Sequence, residues 1–283
     1  MTPNNVIRSA NLHVTAKCNY RCGPCFDKNL DRGIMTPEQW KPRLTLLKER
    51  GITKINIVGG EPILYPHFIE LCGLIKSMGL TVSIVSNGSL IDENMIKRMK
   101  GLVDWIGLSV DSPDNRVEKI VGRQAGGLDH IKNVIKVADM AHKNDIRVKL
   151  NITVIRQSYR QDFSDLICRM GPERVKALRV LKIEGENEED YGTYAISRKQ
   201  WKHFVKNHEN IVLKNKEKIV FESGSDMIDS YLMLDPLGRV IRDSDNKRSL
   251  NDISVIEIGG PEAVVNAEKY ARRRGAYDWG PSQ

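Results

Sequence analysis

Short runs of apolar, β-branched residues recur along the first two thirds of the chain, and stretches with helical periodicity separate them. We expect six strands, at residues 11–15, 54–58, 81–85, 105–110, 147–154 and 178–183. Strands that alternate with helices pair in parallel, because each helical crossover returns the chain to the same end of the sheet. The pattern therefore predicts an α/β fold around a parallel sheet.

Two of the intervening segments carry clear helix signals. Thr36 and Gln39 have the spacing of a capping box around Pro37, which favours a helix that begins at Pro37 and ends before Gly51. Pro42 lies inside this helix and is expected to kink it. A second apolar stripe at helical spacing spans residues 128–138.

The alternation breaks after about residue 190. We predict a helix at 197–208, short strands at 218–222, 231–234 and 239–241 with a turn at 236–238, and a further helix at 261–270. We therefore interpret residues 1–190 as one α/β unit and residues 191–283 as a C-terminal α+β extension packed on it.

Residues with unusual chemistry follow the predicted strands. Three cysteines follow the first strand, a Gly-Gly-Glu-Pro segment at 59–62 follows the second, and a Ser-Asn-Gly segment at 86–88 follows the third. Asp111 and Ser112 follow the fourth strand, and Glu-Gly-Glu-Asn at 184–187 follows the sixth. Because the carboxyl ends of parallel strands meet at one edge, these segments predict an active site there.

Composition narrows the class of protein. The 283 residues are 40% apolar and 28% charged, as in ordinary globular proteins, and contain no apolar run long enough to span a membrane. Residues 1–8 do not resemble a signal peptide, so a cytoplasmic location is expected. The formal net charge of +8 favours an anionic partner, and the basic run at 272–274 is interpreted as a solvated turn.

Three of the five cysteines form a compact motif. Cys18, Cys22 and Cys25 have the spacing C-x3-C-x2-C, whereas Cys72 and Cys168 stand apart. Three thiolates on one loop can hold three irons of a [4Fe–4S] cluster and leave the fourth iron open to a small molecule. The alternatives are inert thiols or a structural zinc site, which normally needs a fourth protein ligand. His13 is near enough in sequence, but its side chain is expected to point into the barrel.

The cysteine motif resembles that of the radical S-adenosylmethionine (SAM) superfamily, whose open iron chelates SAM and whose reduced cluster cleaves it to a 5′-deoxyadenosyl radical. The resemblance implies a partial (β/α)6 barrel with a [4Fe–4S] cluster and SAM as cofactors. In that superfamily the glycine–glutamate segment contacts the SAM amino group, while a serine and an arginine contact its carboxylate. The implied SAM-binding residues are Gly59, Gly60, Glu61, Ser86, Asn87, Ser109 and Arg123.

Longer segments resemble the viperin family within this superfamily, over about residues 11–279. The Ile-Glu-Gly-Glu-Asn segment at 183–187 and the Asp-Ser-Tyr-Leu segment at 229–232 are more specific than the cysteine motif. Viperins dehydrate a ribonucleoside triphosphate to its 3′-deoxy-3′,4′-didehydro analogue, which terminates viral RNA synthesis. The resemblance implies that residues 191–283 close over a nucleotide site, with the ligands Asn11, Lys54, Lys149, Arg174, Lys176, Glu222 and Ser223.

The four cations in this set are expected to neutralise the triphosphate at one mouth of the barrel. We place Lys54 at the end of strand two, Lys149 on strand five, and Arg174 and Lys176 just before strand six. Tyr231 matches a tyrosine near the ribose. After the radical removes the C4′ hydrogen and the 3′-hydroxyl leaves as water, a phenol can donate the remaining proton and electron.

The resemblance also implies partners. We expect an electron donor such as flavodoxin or ferredoxin, and no nucleic acid or membrane partner. The sequence lacks the N-terminal amphipathic anchor of animal viperins and has a short tail after residue 279, so we expect a prokaryotic, antiphage form. The preference among CTP, UTP and GTP stays open.

Two other functions remain as alternatives. One is a radical SAM reaction on another small molecule or a peptide, although Cys72 and Cys168 are too few for the auxiliary clusters that peptide-modifying members usually carry. The other is a non-catalytic iron–sulfur or zinc protein that binds nucleic acid through its positive charge. That function predicts basic residues interleaved with aromatic ones, and no such stripe is visible.

Overall fold

The computed structural model describes residues 7–124, 126–275, 277 and 279. A ten-stranded sheet forms the centre of this part of the chain. Its strands are β1 (Ser9–His13), β2 (Lys54–Val58), β3 (Thr81–Ser86), β4 (Trp105–Val110), β5 (Arg147–Val154), β6 (Arg174–Arg179), β7 (Val220–Glu222), β8 (Leu232–Leu234), β9 (Val240–Ser244) and β10 (Lys247–Asn251).

Helices cover the outer face of this sheet. They are α1 (Pro37–Glu49), α2 (Phe68–Ser77), α3 (Glu93–Met99), α4 (Asn115–Ile120), α5 (His130–His142), α6 (Ser164–Met170), α7 (Glu188–Tyr194), α8 (Arg198–His208), α9 (Gly224–Met227), α10 (Ser254–Gly259) and α11 (Ala267–Arg272). None of the helices in the described ranges is long and apolar enough to cross a membrane.

The strand order shows how the C-terminal third of the chain contributes strands to the sheet. Strands β1 to β6 are parallel neighbours in chain order, as predicted. β7 then adds to β6, and β8 adds in parallel to β1 on the opposite side, followed by the antiparallel β9 and β10. The sheet thus continues across the proposed division at residue 190, which stays a prediction.

The two faces of the strands differ in chemistry. On β5, Val148, Leu150 and Ile152 face outward and are fully buried with Val134 and Ala138 of α5 in one apolar core. The alternate positions of β5 face inward and carry polar side chains that line a cavity. A barrel with an internal polar site requires strands that carry polar side chains on their inner face.

Several predicted elements are confirmed. The bounds of β2, β4 and β5 are those predicted, and α1 begins at Pro37 with the Thr36–Gln39 capping box and continues through Pro42. α8 follows a second capping box formed by Ser197 and Gln200. The predicted helix at 261–270 is instead a short 3-10 turn followed by α11, and β10 and α10 were not predicted.

The sixth strand was predicted four residues too late. Arg174–Arg179 pairs with Lys149–Val154, whereas residues 180–183 leave the ladder. There the Asn187 carboxamide accepts from the Ile183 N–H at 3.0 Å and donates to the Leu181 carbonyl at 2.9 Å, so a side chain replaces the partner strand. Arg174 and Lys176 therefore lie on β6 and not before it, and Lys54 begins β2 and does not end it.

Candidate active site

A cavity of about 270 Å³ lies inside the curved sheet. It extends from the cysteine loop, at the carboxyl ends of the strands, to Lys149 and Lys176 near their amino ends. Of the predicted site residues, the cavity is lined by Cys18, Cys22, Cys25, Gly59, Gly60, Ser86, Asn87, Ser109, Arg123, Asn11, Lys149, Lys176 and Tyr231. One cavity therefore joins most of the predicted cofactor and nucleotide residues.

The cysteine loop suits a cluster better than a single ion. Backbone N–H groups lie 3.4 Å from Cys18 Sγ and 3.5 Å from Cys25 Sγ, and such contacts stabilise cluster thiolates. No three Cys, His, Asp or Glu side chains in the described residues converge on one ion, whereas each iron of a cubane takes one thiolate. Burial raises the pKa of the Cys22 thiol to about 12. Ligation of the thiolates therefore has to release protons.

Gly59 and Gly60 let the cysteine loop pack directly on the end of β2. Gly60 N–H donates to the Thr15 carbonyl at 2.8 Å, and the next N–H donates to the Lys17 carbonyl at 2.7 Å. A Cβ on Gly59, whose φ is +145°, would lie 2.5 Å from Thr15 O, and one on Gly60 would overlap the Lys17 carbonyl. Larger residues would displace the loop that carries Cys18.

Glu61 is buried beneath the cavity and does not line it. Its carboxylate accepts from Ser86 Oγ at 2.8 Å and from the Asn87 N–H at 2.9 Å. Asn87 in turn donates to Asn19 Oδ1 of the cysteine loop at 2.9 Å. In this structure Glu61 connects the ends of β2 and β3 to the cysteine loop, and its predicted contact with the SAM amino group stays a prediction.

Glu61 gives a testable pH dependence. Burial is the main cause that raises the pKa of its carboxyl from 4.5 to about 7. The native state then holds a proton that the unfolded state has lost, so this contribution to stability is present below pH 4.5 and disappears as the pH rises through 7. The shift corresponds to roughly 3 kcal/mol. We expect urea unfolding of the cofactor-free protein to show a loss of stability between pH 4.5 and 8, and Glu61→Gln to reduce that loss by about this amount. The remaining loss comes from Glu118, because burial raises the pKa of its carboxyl to about 8. An equal slope in both proteins would contradict this assignment.

Arg123 lines the cavity, but two of its guanidinium nitrogens already donate hydrogen bonds within the protein. Nε and Nη2 donate to the two carboxylate oxygens of Asp111 at 3.0 and 2.9 Å. Glu118 lies 3.4 Å from Nε and accepts from the N–H groups of Asp111 and Ser112 at 2.8 and 2.7 Å. The Nε–Nη2 edge of the guanidinium is therefore not available to SAM, and the N–H groups of Nη1 with the second N–H of Nη2 are the donors left for a ligand carboxylate.

Asp111 is a positioning residue that the sequence did not single out for this role. Asp111→Asn is expected to weaken SAM binding to the cluster-loaded protein about tenfold, since a charge-assisted hydrogen bond contributes about 1.5–3 kcal/mol. Isothermal titration calorimetry with SAM would measure it. Asp114→Asn is the matched control, because Asp114 pairs with the exposed Arg116. Wild-type affinity in both variants would show that Asp111 does not hold Arg123 in its binding position.

The cysteine loop has a second anchor. The Tyr20 hydroxyl lies 3.3 Å from His130 Nδ1, and His130 Nε2 lies 2.9 Å from the Ser109 carbonyl. Burial lowers the pKa of His130 to about 4, so the ring is neutral and donates from Nε2 while accepting at Nδ1. The loop is thereby tied to the end of β4, where Ser109 lines the cavity.

Tyr231 lies at the centre of a hydrogen-bonded group beside the cavity. Its hydroxyl donates to Glu222 Oε2 at 2.5 Å and accepts from Lys176 Nζ at 3.4 Å, and Lys176 also forms an ion pair with Glu222. The guanidinium of Arg273 stacks 3.7 Å above the Tyr231 ring and donates to the Ser230 carbonyl. Arg273 is only 5% exposed, so the prediction of a solvated turn is wrong for this residue.

Lys149 faces the cavity alone. It has no hydrogen bond or ion pair with any described residue, and burial together with repulsion from Lys176 and Lys54 lowers its pKa well below the ordinary value. An uncompensated cation on a cavity wall is unfavourable without a ligand and favourable beside an anion. Lys149 is therefore a cavity cation that no described side chain neutralises, whereas Lys176 already pairs with Glu222.

Lys54 and Arg174 lie just outside the cavity lining, at the amino ends of their strands. Lys54 Nζ donates to the Tyr277 hydroxyl at 2.6 Å and lies 5.1 Å from the Trp279 ring centre. Arg174 stacks 3.7 Å from the Tyr277 ring. The cations thus lie near the amino ends of the strands. The cysteines lie at the opposite, carboxyl ends, which is the edge where the sequence predicted the active site.

Of the remaining predicted nucleotide ligands, one lines the cavity and one does not. Asn11 lines the cavity and accepts from Asn56 Nδ2 at 3.0 Å. Ser223 caps α9 through Asp226 and does not reach the cavity. No sequence motif pointed to His130 or Glu118. Tyr20 and Arg273 lie in the cysteine motif and the basic run, but those motifs do not show their contacts with His130 and Tyr231.

Comparison with known proteins defines the class. A family model described as the radical SAM superfamily matches residues 12–167. The SAM-bound structure described as native anSMEcpe aligns with a TM-score of 0.68 at 18% identity, over 93% of this chain and 84% of its own. Streptococcus suis SuiB aligns with a TM-score of 0.59 at 18% identity, over 76% and 49%. These two likenesses show the fold alone, whereas the family match shows that the chain belongs to the radical SAM superfamily, with a [4Fe–4S] cluster and SAM as its cofactors.

Curated relatives narrow the assignment. An S-adenosylmethionine-dependent nucleotide dehydratase of Thermoplasmatales archaeon (strain ISO4-H5) is 47% identical over 96% of each chain. The dehydratase of Flammeovirga pacifica is 32% identical over 98% of this chain and 97% of its own, and RSAD2 of Oncorhynchus mykiss is 32% identical over 98% and 84%. Within the superfamily the chain belongs to the S-adenosylmethionine-dependent nucleotide dehydratases, which confirms the resemblance to viperins.

Proposed function

We propose that this enzyme dehydrates a ribonucleoside triphosphate to its 3′-deoxy-3′,4′-didehydro analogue. The observation that carries the proposal is that Lys149, Lys176 and Tyr231 line the same cavity as the three cysteines. A site for a polyanion and a site for the radical-generating cofactors therefore share one cavity. When bound, the cluster and SAM supply a 5′-deoxyadenosyl radical.

The residues of the chain divide the remaining work. Lys149 and Lys176 bind phosphate oxygens, with Lys54 and Arg174 adding charge from the amino ends of β2 and β6. Asn11 holds the ribose. After loss of the C4′ hydrogen, Tyr231 donates the proton with which the 3′-hydroxyl leaves as water and the one electron that completes the C3′–C4′ double bond. The external electron donor and a solvent proton then restore the phenol, and Glu222 and Lys176 orient its hydroxyl.

Ser86, Asn87, Ser109 and Arg123 form the proposed SAM wall with the two glycines, and Glu61 supports this wall from beneath through Ser86 and Asn87. The cluster takes its electron from an external protein of the flavodoxin or ferredoxin class. We also propose a cytoplasmic enzyme in which the product terminates phage RNA synthesis, without nucleic acid or membrane as a direct partner.

Anaerobic turnover tests the function. The cluster is reconstituted, dithionite and SAM are added, and CTP, UTP, GTP and ATP are offered separately with mass spectrometry as the readout. We expect 5′-deoxyadenosine together with a nucleotide lighter by one water. Cleavage of SAM with every nucleotide unchanged would instead favour a radical SAM reaction on another small molecule or a peptide.

A further inference from the structure

The outer edge of the cysteine loop carries exposed side chains that have no part in the chemistry described so far. Lys17 and Arg21 lie on either side of Cys18 in the chain, and all three residues are exposed. Neither of the two basic residues lines the cavity. The loop that holds the cluster ligands therefore has a second, outward surface beside its inner surface toward SAM and the nucleotide.

The end of α4 extends this outward surface. The Arg21 N–H donates to the Gly122 carbonyl at 3.2 Å, and a Cβ on Gly122 would overlap the Arg21 carbonyl, so the two segments are in direct backbone contact. Lys119 and Ile120 are the last residues of α4 and are both exposed, Ile120 by 72%. We call Lys17, Arg21, Lys119 and Ile120 the cluster-edge surface.

The charges of the cluster-edge surface are not neutralised within the protein. Lys17, Arg21 and Lys119 form no ion pair or side-chain hydrogen bond with any residue in the described ranges. Arg116 on the same helix differs, since its guanidinium lies 2.7 Å from Asp114. Three uncompensated cations on one edge raise the local concentration of an anionic partner and speed its association.

The opposite side of the cysteine loop has the reverse charge. Helix α7 contacts the loop there, because a Cβ on Gly23 would overlap the Tyr194 ring. The first turn of α7 carries three exposed carboxylates, of which Lys28 pairs with one. These are Glu188, Glu189 and Asp190. An acidic protein is therefore attracted over α4 and repelled over α7, which fixes the side from which it approaches the cluster.

We propose that the cluster-edge surface docks an acidic electron-carrier protein that reduces the cluster. This inference rests on the external electron donor of the proposed function and deepens it by naming the surface that the donor contacts. The carrier loses one electron and the cluster gains it, with no bond formed or broken. A carrier on this surface lies beside Cys18 and leaves the cavity free, since none of the four residues lines it. Electron-transfer encounters are small and transient, so charge steering suits them better than a large apolar interface.

The test is reduction of the cluster-loaded enzyme, without nucleotide, by a flavodoxin of net negative charge in its hydroquinone form. Rapid freezing and electron paramagnetic resonance report the rate at which the reduced cluster appears. A double variant, Lys17→Glu with Lys119→Glu, should lower the second-order rate constant roughly tenfold, the lower end of the effect of electrostatic steering. The wild-type rate should also fall as salt is added, and the rate of the variant should fall less.

The matched control is Lys136→Glu with Lys143→Glu. It makes the same change of net charge at exposed positions of α5 and its C-cap, and the C-cap precedes β5 at the amino end of that strand, away from the cysteine loop. Its rate with flavodoxin should stay close to wild type. Photoreduced 5-deazariboflavin, a small uncharged reductant, should reduce the cluster equally fast in all three proteins.

Each outcome decides the inference. Equal flavodoxin rates in wild type and the Lys17→Glu/Lys119→Glu variant would show that the carrier docks elsewhere. An equal loss in the α5 control would show that net charge matters and this surface does not, and a matching loss with 5-deazariboflavin would show that the two lysines act on the cluster itself. Reduction needs no nucleotide, so the expected rates together with a failed dehydration assay would overturn the proposed substrate and leave the docking surface standing.

Discussion

Tyr231→Phe is expected to stop nucleotide dehydration while SAM cleavage continues. Product formation should fall by at least 10²-fold, the lower bound for loss of a positioned proton donor. Phenylalanine keeps the ring on which Arg273 stacks and removes the hydroxyl that lies 2.5 Å from Glu222. Burial is the main cause that raises the pKa of Tyr231 above its ordinary value, so the hydroxyl is protonated and available at neutral pH.

The measurement is the molar ratio of dehydrated nucleotide to 5′-deoxyadenosine. It should be near one for wild-type enzyme and near zero for Tyr231→Phe. Tyr159→Phe is the control, because Tyr159 also has an arginine over its ring, at 5.2 Å, but does not line the cavity. If Tyr231→Phe kept the wild-type ratio, the hydrogen donor would have to be another group.

Lys149→Met is expected to change binding and stability in opposite directions. Loss of a charge-assisted contact should weaken triphosphate binding about 10- to 100-fold. The same substitution removes an unpaired, half-buried cation whose pKa desolvation has already lowered, so the nucleotide-free protein should gain about 0.5–2 kcal/mol.

Calorimetric titration with nucleotide and urea unfolding without it would measure the two effects. Lys136→Met on the exposed face of α5 is the control and should change neither quantity, since lysine and methionine have similar helix propensities. A Lys149→Met protein that is less stable than wild type would show that Lys149 is a structural residue and not one held for an anion.

The sequence predicted the chemistry better than the geometry. C-x3-C-x2-C and Gly-Gly-Glu-Pro are local motifs, so their placement at strand ends followed from the strand pattern. The sixth strand was misplaced because its amino-terminal half carries Arg174 and Lys176. These charged residues interrupt the apolar run from which a strand is predicted, although the inner face of this sheet is polar. The separate error for Lys54, which was predicted at the end of its strand and lies at its start, put that cation at the wrong end of the barrel.

Contacts between residues that are distant in the chain could not be predicted from the sequence. Nothing local shows that Asp111 would hold the fork of Arg123, or that Arg273 would leave solvent to stack on Tyr231. The place of Asp243 in the cavity lining depends on β9 joining the sheet through β8, a pairing decided by the assembled barrel. Single-residue patterns do not contain such information.

The pairing of β8 with β1 has a consequence for how the chain is made. Ala10 is opposite Leu232, so β1 lacks its second neighbour, β8, until more than 200 further residues have been synthesised. During that time its edge and the polar interior behind it are open, and parallel pairing between such distant segments is slow. Incomplete chains would therefore carry the whole cysteine loop beside an unpaired strand, the arrangement most prone to association between nascent copies. Expression conditions that supply chaperones are therefore expected to raise the yield of folded enzyme.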